Sequence, residues 1–383
     1  VTAPDGGLDD DQRHLAALAA LGASPGKLRA FVATMSPVEA WEALADGCHP
    51  ADPDGHYRRR ATDRLLAQVH AACLRSAVAV RGLGTPAYPE CLAGDRQAPA
   101  ALFTWGRPEL LEGRPRVAVV GTRAASRSGR EVAAAIGRGL AEAGCVVVSG
   151  LAAGIDTAAH QGALEVAREG TVVGVLGTAL DAPGPAASMH LRRAVAARGS
   201  LLSELPAGAV GAPWWFAVRN RLMAALAHVV VVVESHLGGG SMHTVRAARA
   251  RRVPVAAVPG PLTSPSCAGT NLLLVQGAQA VRDADDVVDL ALRAVRGRPG
   301  IAEPAHRGGS LVPNGTRRTG TPGVDLPASE VARRVWPVLD ERFASLEAVV
   351  ARSGVAPADA ALGLEQLRAA GLAVEESGWW RRR

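Results

Sequence analysis

Six apolar runs of strand length fall between residues 115 and 296: RVAVVG, CVVVSG, TVVGVLG, LLSEL, HVVVVVES and VPVAAVPG. Each is continuous in polarity rather than alternating, so each strand must be covered on both faces. The segments between them have helical texture, and strands alternating with helices specify a mostly parallel sheet with helices on both sides. The spacing therefore predicts a doubly wound α/β domain over residues 115–296, the lead-in from 76 belonging with it.

At 383 residues the chain is too long for that core alone. Residues 1–75 are rich in Ala and Leu with polar residues at helical spacing, broken by GASPGK and GCHPADPDG, and predict a small helical domain. Residues 297–325 are dense in Gly, Pro, Arg and Thr without periodicity and predict a flexible linker. Residues 326–383 carry three helical stretches followed by LAVEESGWW, the texture of a small winged helix. Such modules contact either DNA or protein, and the third helix offers only Arg368 as a basic residue.

The formal charge is +6 with a pI near 9.6, and Lys27 is the only lysine. A basic balance favours a polyanionic partner, but arginine in place of lysine also follows from a GC-rich coding sequence, so charge alone decides nothing. Five scattered cysteines with no CxxC spacing point to a reducing compartment, expected to be the cytoplasm, and away from structural zinc. The apolar runs are too short to cross a bilayer, and no membrane association is expected.

In an open α/β sheet, ligands collect beyond the carboxyl ends of the strands. The first such loop, GTRAASRSGRE, offers Arg123, Ser126 and Arg127 around a helix start, where backbone amides and guanidinium forks suit a phosphate. The same residues also make an ordinary capped helix with solvated arginines. In the second loop, SGLAAGIDTAAHQGA, Gly154 permits close approach of a ligand, while Asp156 can cap the helix or pair with His160 one turn on. Classical NAD binding is disfavoured because Ser149 stands where an acid would bind the ribose.

Strand ends LGTALD, SELP and VESHLGGGSMHT direct Glu204, Glu234, Gly240, Ser241 and Thr244 toward the same crevice. At these strand ends neither HxH nor DxD spacing supplies a metal cluster for phosphodiester hydrolysis, and no cofactor is expected. FAVRNRLMAAL, after the fourth strand, brings Trp214, Trp215 and Phe216 to the rim just before Arg219, Asn220 and Arg221. Aromatics beside arginines fit a surface on which bases stack while phosphates are paired, with Phe216 expected to be the ring that faces out. Asn271, in GTNLLLVQGA, is placed to bond a neighbouring loop or a nucleotide.

The ordered set GTRAASRSG, SGLAAGIDTAAH, LGTALD, LLSELP, FAVRNRLMAAL, VVVVVESHLGGGSMHT, VPGPL and GTNLLLVQGA, with YPECL ahead of it, resembles the DNA-processing protein A family, also called DprA or Smf. The resemblance covers about residues 75–290. It implies a Rossmann-like fold without a required dinucleotide, and an N-terminal domain like a sterile alpha motif. It also implies single-stranded DNA binding without strong sequence preference, dimerisation through the sheet domain, and loading of the RecA recombinase during natural transformation. By motif it places DNA contact on Arg123, Arg219 and Arg221, with Phe216 nearby. Two segments depart from the family pattern: HLGGGSMHT stands for an ERSGSLIT-like stretch, and WWFAV precedes RNR where proline and glycine are usual. A second resemblance, of LGGGSMHT and Glu234 to the PGGxGT segment of nucleoside-monophosphate phosphoribohydrolases, implies instead a small-nucleotide enzyme.

Overall fold

The computed structural model describes residues 7–166, 168–296, 329–339, 344–355, 357–376 and 379–382. It divides into two compact units, Val1–Glu303 and Pro304–Arg383. The stretch expected to be a linker, 297–325, lies outside the described residues.

The first unit begins with α1 (Asp10–Ala20), α2 (Pro25–Phe31), α3 (Pro37–Asp46) and α4 (Asp63–Arg75). Capping boxes start α1 (Asp9 with Gln12) and α3 (Ser36 with Glu39), each satisfying amides that a helix start leaves open. Their apolar faces do not form a separate core, because Leu15, Leu18, Phe31 and Cys73 join the cluster that covers one face of the sheet.

Nine strands make that sheet: β1 (Ala79–Gly82), β2 (Ala101–Gly106), β3 (Arg116–Val120), β4 (Val146–Ser149), β5 (Val172–Leu176), β6 (Ser200–Ser203), β7 (Val229–Val232), β8 (Val255–Ala257) and β9 (Gln279–Ala280). Their order is β1-β2-β6-β5-β4-β3-β7-β8-β9. From β6 to β9 every pairing is parallel, while β2 joins β6 and β1 joins β2 antiparallel. The predicted doubly wound, Rossmann-like α/β architecture is the observed one, extended by an antiparallel edge that the apolar runs did not announce.

Alternate residues of β3 serve opposite faces, Val117 and Val119 on one and Ala118 and Val120 on the other, and all are buried. The first face is covered by α6 (Arg127–Glu142), α7 (Ile155–Glu165), α8 (Ala186–Arg198) and α12 (Ala284–Arg296). The second carries α9 (Trp215–Leu226), α10 (Ser241–Ala250) and α11 (Ala268–Val275), with the short α5 (Glu90–Ala93). Helices α6 and α7 approach closely because a Cβ on Gly137 or Gly162 would collide with the Ala159 or Ala134 carbonyl.

Chain direction reverses at β3. The path leaves it through α6 toward β4, and later returns to β7 on its other side and continues through α10. Loops leaving β3 and β7 therefore part to opposite faces and open a crevice, the site that such a switch point provides.

The second unit holds α13 (Glu330–Val335), α14 (Leu346–Ser353) and α15 (Pro357–Ala369) with β10 (Ala344–Ser345), β11 (Ala373–Glu376) and β12 (Trp379–Arg382). Its strands pair antiparallel in the order β10-β12-β11, and Val335, Leu364 and Trp380 belong to its own core. No helix among the described residues is long and apolar enough to cross a membrane.

Candidate nucleic-acid interface

At the switch point lies a pocket of about 480 Å3, within the range of ligand sites. The loop after β3 contributes Thr122 and Arg123, the loop after β4 Ala152, α9 Phe216, Arg219 and Asn220, and the start of α10 Gly240, Ser241 and Thr244. Of the residues singled out from sequence, Arg123, Phe216, Arg219, Asn220, Gly240 and Ser241 meet here.

Arg123 is exposed, and its guanidinium lies over the Phe216 ring, 5.4 Å from the centroid. Its backbone is fixed from two sides. The Thr122 amide donates to the Glu234 carbonyl at 2.7 Å, and Gly154 (φ +85°) packs so tightly on the Thr122 and Arg123 carbonyls that a side chain there would collide. Gly154 thus positions the arginine instead of touching a ligand through open space.

Arg219 forms the floor. Only 7% exposed, it donates from Nη1 to the Val175 carbonyl at 2.8 Å and lies flat on Gly150, where any Cβ would strike the guanidinium. Asp156, fully sheltered and accepting the Gly150 amide at 3.1 Å, supplies the compensating charge. Burial pushes the Asp156 carboxyl up, and Arg219 opposes that push. Arg219 is therefore an internal cation before it is a ligand contact, a correction to the expectation of a free phosphate clamp.

Arg221 does not reach the pocket. Residues two apart on a helix point to nearly opposite sides, and Arg221 turns away to pair with the buried Glu204 and the Gln97 carbonyl. Arg127 is also elsewhere, exposed on α6 and paired with Glu131 at 2.9 Å. Asn271 bonds both the amide and the carbonyl of Gly260, holding its own loop closed. His160 does not pair with the Asp156 side chain; its Nε2 meets the Val173 carbonyl at 3.0 Å, and burial pushes the ring down to about 4.

The expected phosphate position at the start of α6 is occupied from within. Ser126 donates to the Glu234 carboxylate through its amide at 2.9 Å and its hydroxyl at 2.5 Å, and its Oγ accepts the Gly129 amide. A carboxylate at a helix N-terminus satisfies the same amides and dipole that would hold a pyrophosphate. Glu234 is thereby committed to α6, away from the role that the phosphoribohydrolase resemblance gave it.

At the start of α10, Gly240 is the N-cap and provides no side-chain cap; the Met242 and His243 amides donate instead to the Gly239 and Gly240 carbonyls at 3.0 and 3.2 Å. Nearby Thr244 Oγ1 and Arg219 Nε are buried and make no hydrogen bond. Asn220 ties α9 to this loop by donating to the Gly240 carbonyl at 3.3 Å.

His243, on the same rim, was not singled out from sequence. Arg246 lies 2.9 Å from its Nδ1; a guanidinium only donates, so Nδ1 accepts and the ring proton sits on Nε2. The legible signal was the GGGS start of a helix, whose first turn must face the crevice.

A family model described as DNA recombination-mediator protein A matches residues 80–291, from β1 into α12. The chain belongs to this family, DprA/Smf. A DNA processing protein DprA of Mycobacterium tuberculosis is 41% identical over 287 residues, 74% of this chain and 69% of that one. The Streptococcus pneumoniae DprA is 37% identical over 201 residues, 52% of this chain and 70% of that one. Its X-ray structure, matched at 28% identity, superposes with a TM-score of 0.63 over 74% of this chain and 98% of its own. The Helicobacter pylori DprA structure, described for its single-stranded DNA binding mode, matches at 28% identity and TM-score 0.50 over 56% of this chain and 96% of that one. Both DprA folds share the doubly wound core described above.

The Arg221–Glu204 pair carries a pH signature. Burial pushes the Glu204 carboxyl from 4.5 up to about 7, against the pull of Arg221. A folded value above the unfolded one means that the native chain holds the extra proton in this window. Stability should thus fall as pH rises from the lower value to the upper. Urea unfolding at a series of pH values should show this slope in the parent and a flattened one in Glu204→Gln; parallel curves would refute it.

Proposed function

We propose that the chain binds single-stranded DNA without strong sequence preference across the β3/β7 pocket and helps load the RecA recombinase in DNA uptake or recombination. It does so without catalysing a reaction, as a homodimer through the α/β unit, in the cytoplasm. The observation that carries this reading is the exposed Arg123 guanidinium stacked on the exposed Phe216 ring at the mouth of a pocket floored by a second arginine. A backbone phosphate is answered by the guanidinium and a base by the ring, neither of which reads sequence.

Family membership supports the recombination setting, and the H. pylori relative's single-stranded DNA binding supports the ligand. In the C-terminal unit, three helices followed by an antiparallel hairpin support the winged-helix reading. The rival reading, a nucleoside-monophosphate phosphoribohydrolase, loses support because Glu234 is held by Ser126 outside the pocket lining.

Titration of labelled oligonucleotides separates the two. The full chain should bind single strands of different sequence alike and more tightly than duplex, and should release no free base from nucleoside monophosphates. Base release that disappears in Glu234→Gln, with no oligonucleotide binding, would reverse the conclusion.

A further inference from the structure

Trp214 and Phe216 are exposed aromatic side chains, at 45% and 40%. Phe216 lines the pocket, and Trp214 stands two residues ahead of it as the N-cap of α9. Phe216 is covered on one face, where Arg123 lies over its ring, and its backbone and ring edge press on Gly177, where a Cβ would come within 3.1 Å.

Trp214 is different. It stacks on Trp215 with centroids 4.3 Å apart and planes at 23°. Trp215 is itself 7% exposed and anchored in a small cluster with Ala179 and Leu205. One indole face of Trp214 is thus fixed against a buried partner while the other opens to solvent. Its neighbours Pro213 and Phe216 line the pocket, and the cationic Arg123 sits on Phe216.

We propose that Trp214 is a second base platform, which stacks the base next to the one at Phe216. This rests on the single-strand reading above and extends it to a defined two-base register. A flat, rigid indole held by its partner loses little side-chain freedom on stacking, so its contact is realised as affinity. The pocket arginine favours nucleic acid over an apolar protein face as the occupant, since a phosphate chain running from Trp214 into the pocket meets its counter-charge at Arg123.

A comparison of oligothymidylate with an abasic strand of equal length, using the full chain, tests this directly. In the parent the base-bearing strand should bind more tightly and quench tryptophan fluorescence. Trp214→Ala should shrink the ratio of the two affinities about ten-fold and remove most of the quench, while Trp214→Phe restores most of the ratio. An unchanged ratio in Trp214→Ala, or an altered oligomeric state with unchanged DNA affinity, would overturn the platform alone. A parent that binds neither strand would overturn the single-strand reading itself, and the platform with it.

Discussion

Arg219→Ala should destabilise the fold by about 1.5–3 kcal/mol, the worth of a buried hydrogen bond from a charged group. The arginine is 7% exposed and spans from the Val175 carbonyl to the surface of Gly150, so its removal empties the pocket floor. It also strands Asp156, whose carboxylate is shielded from water and relies on Arg219 for its main favourable charge. Asp156→Asn in the same chain should recover part of the loss, because an amide keeps the oxygen that accepts the Gly150 N–H and drops the charge. Urea denaturation followed by circular dichroism measures both; a single variant as stable as the parent would mean that the floor is not built on this pair. DNA affinity in Arg219→Ala must therefore be read only after its folding has been measured.

Arg123→Ala should do the reverse. The side chain is exposed and rests on the Phe216 ring, so stability should change by no more than about 0.5 kcal/mol. Single-strand affinity should fall by about 1.5–3 kcal/mol, the worth of a hydrogen bond to a charged group, which is roughly 10- to 150-fold. Fluorescence anisotropy with a labelled oligonucleotide reads the loss, and it should be equal for different sequences because a phosphate carries no base identity. Equal binding by parent and variant would remove Arg123 from the interface.

The contrast between these arginines shows where sequence reading stops. Six apolar runs were enough to specify the doubly wound core, because a strand buried on both faces needs uninterrupted apolar residues whatever its partners. Antiparallel β1 carried no such signal, being an edge strand that buries only alternate residues. Arg219 and Arg221 sit two apart, and the helical period alone sends them to opposite sides; reading them as a joint clamp gave nearness in sequence more weight than that geometry.

Long-range contacts explain the other differences. Ser126 and Glu234 are separated by 108 residues and meet only because β7 pairs with β3. No local pattern announces that an internal carboxylate fills the start of α6. Which indole of the Trp214–Trp215 pair faces outward depends on where α9 begins, and Trp214 is its N-cap. The sequence expectation of a single outward ring at Phe216 becomes two, because the N-cap residue is not yet bound to the helical face that buries Trp215.

The central claim is that a pocket cation neutralises a phosphate of single-stranded DNA, and a salt series tests it most directly. The full chain and Arg123→Ala are titrated with one oligonucleotide across increasing sodium chloride, and log affinity is plotted against log salt. The parent line should fall steeply, and the variant line should be shallower by about 0.7, the counterion released per phosphate on a single strand. Two parallel lines, or a parent whose affinity ignores salt, would contradict the account.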